Sequence, residues 1–480
     1  MKVAEIVNKF YLLGVFANRI ISVANVMMLT YLLLPADFGA FSLAITNVLM
    51  TQIIAGWWIT SAAYKYLTDT DEGQVDQYIS SIALSGIAIS PIAMIAVFVV
   101  AVEFSGASTA QGLIMSLWVF ALIFSDLTLA ANNALGMSRE YATLAMARNA
   151  LAVAASLILV LLGMRGLGAM MGQMIGVLVP LFFVTSATRF WLRARPSLAS
   201  SAMIYEMAKF GIAGAASLGL YMLTQGFARN VIETKLGIAA AGQFALAIDL
   251  FNAPLILVGS AFSLSRMRSL YQLGAEQDVL QSKEEASHFF EICLLFSMPY
   301  ALAGAVVAPA LALLVIGPNM ALGVASIAAA ATMQAGMIPI LAGLVTIMLV
   351  FDQRKRVVAV VVGASIANAL AVSMSASGGL INAAWYSTAT MAMTTCVTWT
   401  MLLASGRLLP SWSRWLKLVA CAAVSAVVCW VWFDELGFRE PFSTILLGSL
   451  VYIGATTVLK LVDWPHLFKS HGLSMIKSEA

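Results

Sequence analysis

The chain is 480 residues long, 61% hydrophobic and only 10% charged, with a formal net charge of +3. Soluble domains carry about a quarter Asp, Glu, Lys and Arg, so this composition excludes an ordinary soluble enzyme. It also argues against nucleic acid as a partner, because the few basic residues lie between apolar blocks. There they read as topology determinants and contacts to anionic headgroups.

The apolar blocks run about 18 to 30 residues, long enough to cross a ~30 Å hydrocarbon core as helices. In chain order they predict spans at Phe10–Leu33, Phe38–Ala63, Tyr78–Val102, Gln111–Leu135, Ala142–Gly163, Ala169–Phe190 and Met207–Ile232. The series continues with Ile238–Leu264, Phe289–Ile316, Met320–Val350, Val357–Met374, Gly379–Ala404, Trp415–Phe433 and Phe442–Leu461. The expected fold is therefore all-α and polytopic, with about fourteen transmembrane helices. Its expected parts are an N-terminal six-helix lobe (1–195), a cytoplasmic linker (196–206), a C-terminal six-helix lobe (207–404) and two further helices with a tail (405–480).

Orientation follows from the basic residues. With the N-terminus in the cytoplasm, Lys2, Lys9, Lys65, Arg139, Arg193, Arg195, Lys283, Arg354, Lys355, Arg356, Arg407, Arg414 and others collect inside. Only Arg165, Lys235 and Arg439 stay outside. Both termini are expected in the cytoplasm, since one miscounted span would swap every later loop. No cleavable signal peptide is expected: the segment after Lys9 is too long for a signal h-region and has no small-residue cleavage site.

The longest hydrophilic stretches, Tyr64–Gln77, Trp191–Glu206 and Ser265–Ser287, all fall inside on this topology. The last carries Leu270, Tyr271, Leu273, Val279 and Leu280 among charges, a pattern expected of an interfacial helix. The outer connections are short turns, which argues against an enzyme that must hold an extracytoplasmic acceptor. A repeat is visible too. The run Gly39-Ala40-Phe41-Ser42-Leu43-Ala44-Ile45 returns as Gly242-Gln243-Phe244-Ala245-Leu246-Ala247-Ile248, both copies opening a span after an outer turn. That is the pattern of a parallel internal repeat.

Ionisable side chains inside the apolar blocks are costly and mark function by default. Arg19 lies mid-span with Asn18 beside it and Asn25 nearly two turns on. Arg148 stands in the fifth span and Arg229, with Gln225 and Asn230, in the seventh. Asp126 and Asp249 are deep in the fourth and eighth. The carboxylates either neutralise these arginines or bind a coupling cation or proton. Guanidinium holds phosphate through paired hydrogen bonds and stays charged, so the set describes a cationic, hydrated cavity suited to an anionic headgroup. Asn18, Arg19, Asn25, Arg148 and Arg229 are the expected substrate contacts, and Asp126 and Asp249 the expected ion-coupling candidates.

Other chemistry is missing from the sequence. No phosphate-cradling Gly-rich loop precedes Lys-Ser or Lys-Thr. His288, His466 and His471 form no ligand cluster, and Cys293, Cys396, Cys421 and Cys429 have no CxxC spacing. No cofactor or metal is expected. Pro91, Pro180, Pro254, Pro299, Pro309 and Pro339 sit within spans, and Gly168, Gly172 and Gly176 make a close-packing stripe.

The run from Leu33 through Pro35-Ala36-Asp37-Phe38-Gly39 to Ala44 resembles the first outer turn of bacterial polysaccharide and O-antigen flippases. So does the stretch from Arg229 through Leu236-Gly237 and Gly242–Ala247 to Pro254. The resemblance implies the two-lobed fold of the multidrug/oligosaccharidyl-lipid/polysaccharide exporter superfamily, in the bacterial inner membrane. It further implies translocation of polyprenyl-diphosphate-linked oligosaccharide for exopolysaccharide or lipopolysaccharide synthesis, beside polysaccharide polymerase and glycosyltransferases. Many relatives place an acid before the arginine matching Arg229; here that neighbour is Ala228. The alternatives are a cation-coupled multidrug exporter, which would be expected to carry a first-span carboxylate, and a membrane polymerase or ligase, which needs a sizeable outer loop.

Overall fold

The computed structural model describes residues 20–68, 74–184, 190–255, 279–408, 412–435, 441–459 and 461. Among them the regular structure is helical, with 14 long helices and no strand. They are α1 (Ile20–Leu32), α2 (Pro35–Thr68), α3 (Val75–Val99, with a π turn to Phe104), α4 (Thr109–Ala134), α5 (Ser138–Leu159), α6 (Arg165–Phe183), α7 (Ser201–Leu236) and α8 (Ile238–Leu255). Then come α9 (Val279–Val315), α10 (Pro318–Val350), α11 (Arg354–Ser375), α12 (Gly379–Ala404), α13 (Trp412–Trp430) and α14 (Pro441–Val458). Each expected span overlaps one of these helices.

Among the described residues, ten stretches are long and apolar enough to cross a membrane. Two of them, Arg139–Phe183 and Arg354–Ala404, are hairpins of paired helices. The first reverses at Gly163 (φ 90°) and Arg165 (φ 45°), the second through Ala376–Gly378 and Gly379 (φ 87°). Starts are set locally. Ser108 and Gln111 form a reciprocal capping box at α4, and Pro318 occupies the first turn of α10, where its missing N–H costs nothing. Hydroxyls inside the helices bond the carbonyl one turn back, as Ser85 does to Ser81 and Ser90 to Gly86. Lipid offers them no other partner.

The chain divides into two compact units between Gly242 and Gln243. In the first unit the α5–α6 hairpin is held by the glycine stripe. A Cβ at Gly172 would collide with the backbone of Ser156, and one at Gly176 with Ala152. α7 lies along α2, and the leading glycines of the two repeat copies meet here: a Cβ on Gly242 would stand 2.6 Å from the Cα of Gly39. Their equivalent aromatic residues, Phe41 and Phe244, are both fully buried.

The linker differs from expectation. After one 3-10 turn at Pro196–Leu198, α7 begins at Ser201, with Ser200 as its N-cap. Trp191 Nε1 donates to Thr128 Oγ1 (3.1 Å), Arg195 N to Ser80 Oγ (3.0 Å) and Ser200 N to Ser81 Oγ (3.1 Å). The segment is thus strapped to α3 and α4. Most of the expected interfacial helix lies outside the described residues; Val279 and Leu280 belong to the start of α9.

The second unit is built from α8 to α14. Trp399, Trp412, Trp415 and Phe290 stack at one end of it. Beside them Arg414 pairs with Glu291 at 3.3 Å, tying α13 to α9.

Candidate functional site

Three helices of the first unit bring a charged pair together. Arg148 on α5 donates from Nη1 to Asp126 Oδ1 on α4 at 2.7 Å and reaches Ser125 Oγ at 3.4 Å. The other carboxylate oxygen accepts from Gln52 Nε2 on α2 at 2.9 Å. Gln52 is 2% exposed, whereas the Arg148 and Asp126 side chains are 22% and 17% exposed. The pair therefore borders open space while its anchor is enclosed. Asp126, read as either neutraliser or coupling site, here carries the guanidinium of Arg148.

A second polar group lies between α2 and α7. Arg229, buried, donates from Nη1 to Thr46 Oγ1 at 2.9 Å, and the Thr46 hydroxyl donates in turn to Ser42 O. Asn230 Nδ2 donates to Asn47 Oδ1 at 3.1 Å, and Asn47 Nδ2 to Ser105 Oγ at 3.3 Å. Thr46 and Gln52 are six residues apart on one helix, about 9 Å along its axis and on different sides of it. α2 is thereby the common wall of both groups.

The remaining expected residues are dispersed. Asn25 on α1 is buried, and its Oδ1 has no hydrogen-bond partner. Asp249 lies on an exposed face of α8, in the second unit. Arg19 and Asn18 lie outside the described residues. A search for ionisable groups alone overlooks Thr46, Asn47 and Gln52. The available signal was the run of amides and hydroxyls, Thr46-Asn47 and Thr51-Gln52, at the centre of an apolar block.

The second unit holds a partly open cavity of about 440 Å³ between α8, α9, α13 and α14, lined by Phe251, Phe296, Pro299, Val307, Ile445 and Ile453 among others. Three of its hydroxyls are already engaged: Tyr300 donates to Phe251 O, Tyr452 to Leu295 O (2.8 Å) and Ser425 to Gly448 O (2.7 Å). Such a wall offers an occupant apolar surface and few free donors. Among the described residues, no three His, Cys, Asp or Glu converge as metal ligands.

Residues 9–266 match the family model described as polysaccharide biosynthesis protein. No curated protein sequence matches the chain. Among solved structures, the fold is similar to the lipid II flippase MurJ in an inward closed conformation (TM-score 0.71, 13% identity, 94% of this chain and 98% of that one). It is also similar to an inward-facing multidrug resistance MATE family transporter of the MOP superfamily (0.62, 13%, 81% and 95%). A MOP superfamily transporter from Pyrococcus furiosus gives 0.61 at 12% identity over 85% and 96%. At these identities the likeness is one of fold.

Proposed function

The chain belongs to the polysaccharide biosynthesis protein family, and from that premise we propose that it is a flippase for polyprenyl-diphosphate-linked oligosaccharide. It acts as a transporter and not an enzyme, moving repeat units across the bacterial inner membrane for exopolysaccharide or O-antigen synthesis. Both termini lie in the cytoplasm, and the units are passed to a polymerase supplied by the same glycosyltransferase system.

The observation that carries this reading is the presence of arginines within the apolar first unit, Arg148 beside open space and Arg229 on α7, buried against α2. Charge at such depth is expensive even when it is paired, and a diphosphate is an anion that guanidinium holds well. Arg19, Arg148 and Arg229, with Asn18 and Asn25, contact the headgroup in turn as the transporter alternates its access. Asp126 and Asp249 are the coupling carboxylates. A coupling proton or cation reaching Asp126 competes with Arg148 and releases the guanidinium to the substrate. The prenyl tail stays in lipid at a lateral opening, and the largely apolar cavity of the second unit suits a segment of it.

The deciding experiment is a deletion strain assayed for surface polymer and for the leaflet in which completed lipid-linked units reside. Loss of polymer with units retained on the inner face supports the flippase. Single units accumulating on the outer face would make the protein a polymerase or ligase. Intact polymer with new drug sensitivity would favour the multidrug exporter.

A further inference from the structure

Gln225 stands one helical turn before Arg229 on α7 and is 2% exposed. Neither its Nε2 nor its Oε1 has a hydrogen-bond partner, and among the described residues no other buried side chain leaves two such atoms unmet. Two other buried amides of the same unit are used: Gln52 holds Asp126, and Asn47 bridges Asn230 and Ser105. Next to Gln225, Gly226 packs on the Met50 side chain of α2, so the amide belongs to the wall that carries Arg229 and Thr46. Each unmet buried polar atom costs roughly 1–3 kcal/mol. A leucine would avoid that cost and continue the apolar helix.

We propose that Gln225 is a sugar-hydroxyl contact of the translocation path, exposed when the first unit opens and closed off in the state seen here. The chemistry selects the partner. Phosphate oxygens only accept and would leave Oε1 unmet, whereas a cation would satisfy Oε1 and repel Nε2. A hydroxyl both donates and accepts, and two hydroxyls on adjacent sugar carbons meet both ends of one amide. Arg229, at i+4 on the same face, then lies toward the diphosphate while Gln225 reads the saccharide. This inference rests on the flippase reading and adds a substrate contact to it.

The test pairs stability with transport, using Gln225→Leu and the more flexible Gln225→Met in the full-length protein. Removing an unmet amide is expected to raise the melting temperature of the detergent-purified protein. Export of lipid-linked units by the same variants is expected to fall about tenfold, the scale of one good hydrogen bond. A lower melting temperature in both variants would mean that the protein itself uses the amide, and would overturn the proposal. So would a higher melting temperature with unchanged export, which would leave water as the amide's partner. The deletion strain tests the flippase reading separately, so the two failures are distinguishable.

Discussion

Asp126 and Arg148 are each other's principal partner, and this has a measurable consequence. Asp126→Asn or Arg148→Gln alone leaves a partly enclosed charge without its counter-ion. For fully buried pairs that costs about 3–5 kcal/mol; with about a fifth of each side chain exposed, the loss here is expected at or below the lower bound. The double variant should regain much of the stability, which a double-mutant cycle on thermal unfolding in detergent measures. Additive losses would show that the contact is not coupled. The sequence made these two residues conspicuous, because charge in an apolar block is rare. It could not pair them: pairing depends on how α4 and α5 meet. Gln52, which fixes the carboxylate, passed unnoticed because an uncharged amide barely alters a hydropathy window.

At the scale of elements, small residues determine how close helices come. Gly172→Ala puts a methyl group against the Ser156 backbone, which cannot yield as a side chain would. Overpacking of this kind costs about 1–3 kcal/mol. Gly363 on α11 has nothing within 4 Å of an added Cβ. Its alanine variant should be neutral or slightly more stable, since alanine favours helix over glycine by roughly 1 kcal/mol. Comparing melting temperatures and membrane yields of the two variants separates packing from helix propensity; equal effects would refute the packing account. The stripe was readable from its four-residue spacing. The start of α7 was not, because the helix that Ser200 caps begins with a short mixed stretch, Ser201 to Glu206, that a hydropathy reading assigns to the linker.

For the whole molecule, the succession of helices was legible because each block had to be long enough to cross lipid and too apolar for water. Sidedness was legible only as a charge bias. It predicts that Lys235→Cys, in a background lacking native cysteines, is labelled by an impermeant maleimide in intact cells. Arg356→Cys should be labelled only after permeabilisation. The reverse pattern would invert the topology. What hydropathy does not encode is which helices cluster. That depends on lateral contacts such as Gly39 with Gly242 and Arg229 with Thr46.

The placement of α7 has a consequence for engineering by recombination. A chimera joined at residue 195 would give the first unit's α2 an α7 from another parent. Arg229 would lose Thr46, and Gly226 would lose its fit to Met50. A crossover moved to the boundary at Gly242 would transfer α2 and α7 as inherited partners. The segment that passes along the chain as a connector is therefore a poor place to exchange parents, and the natural seam lies one helix later.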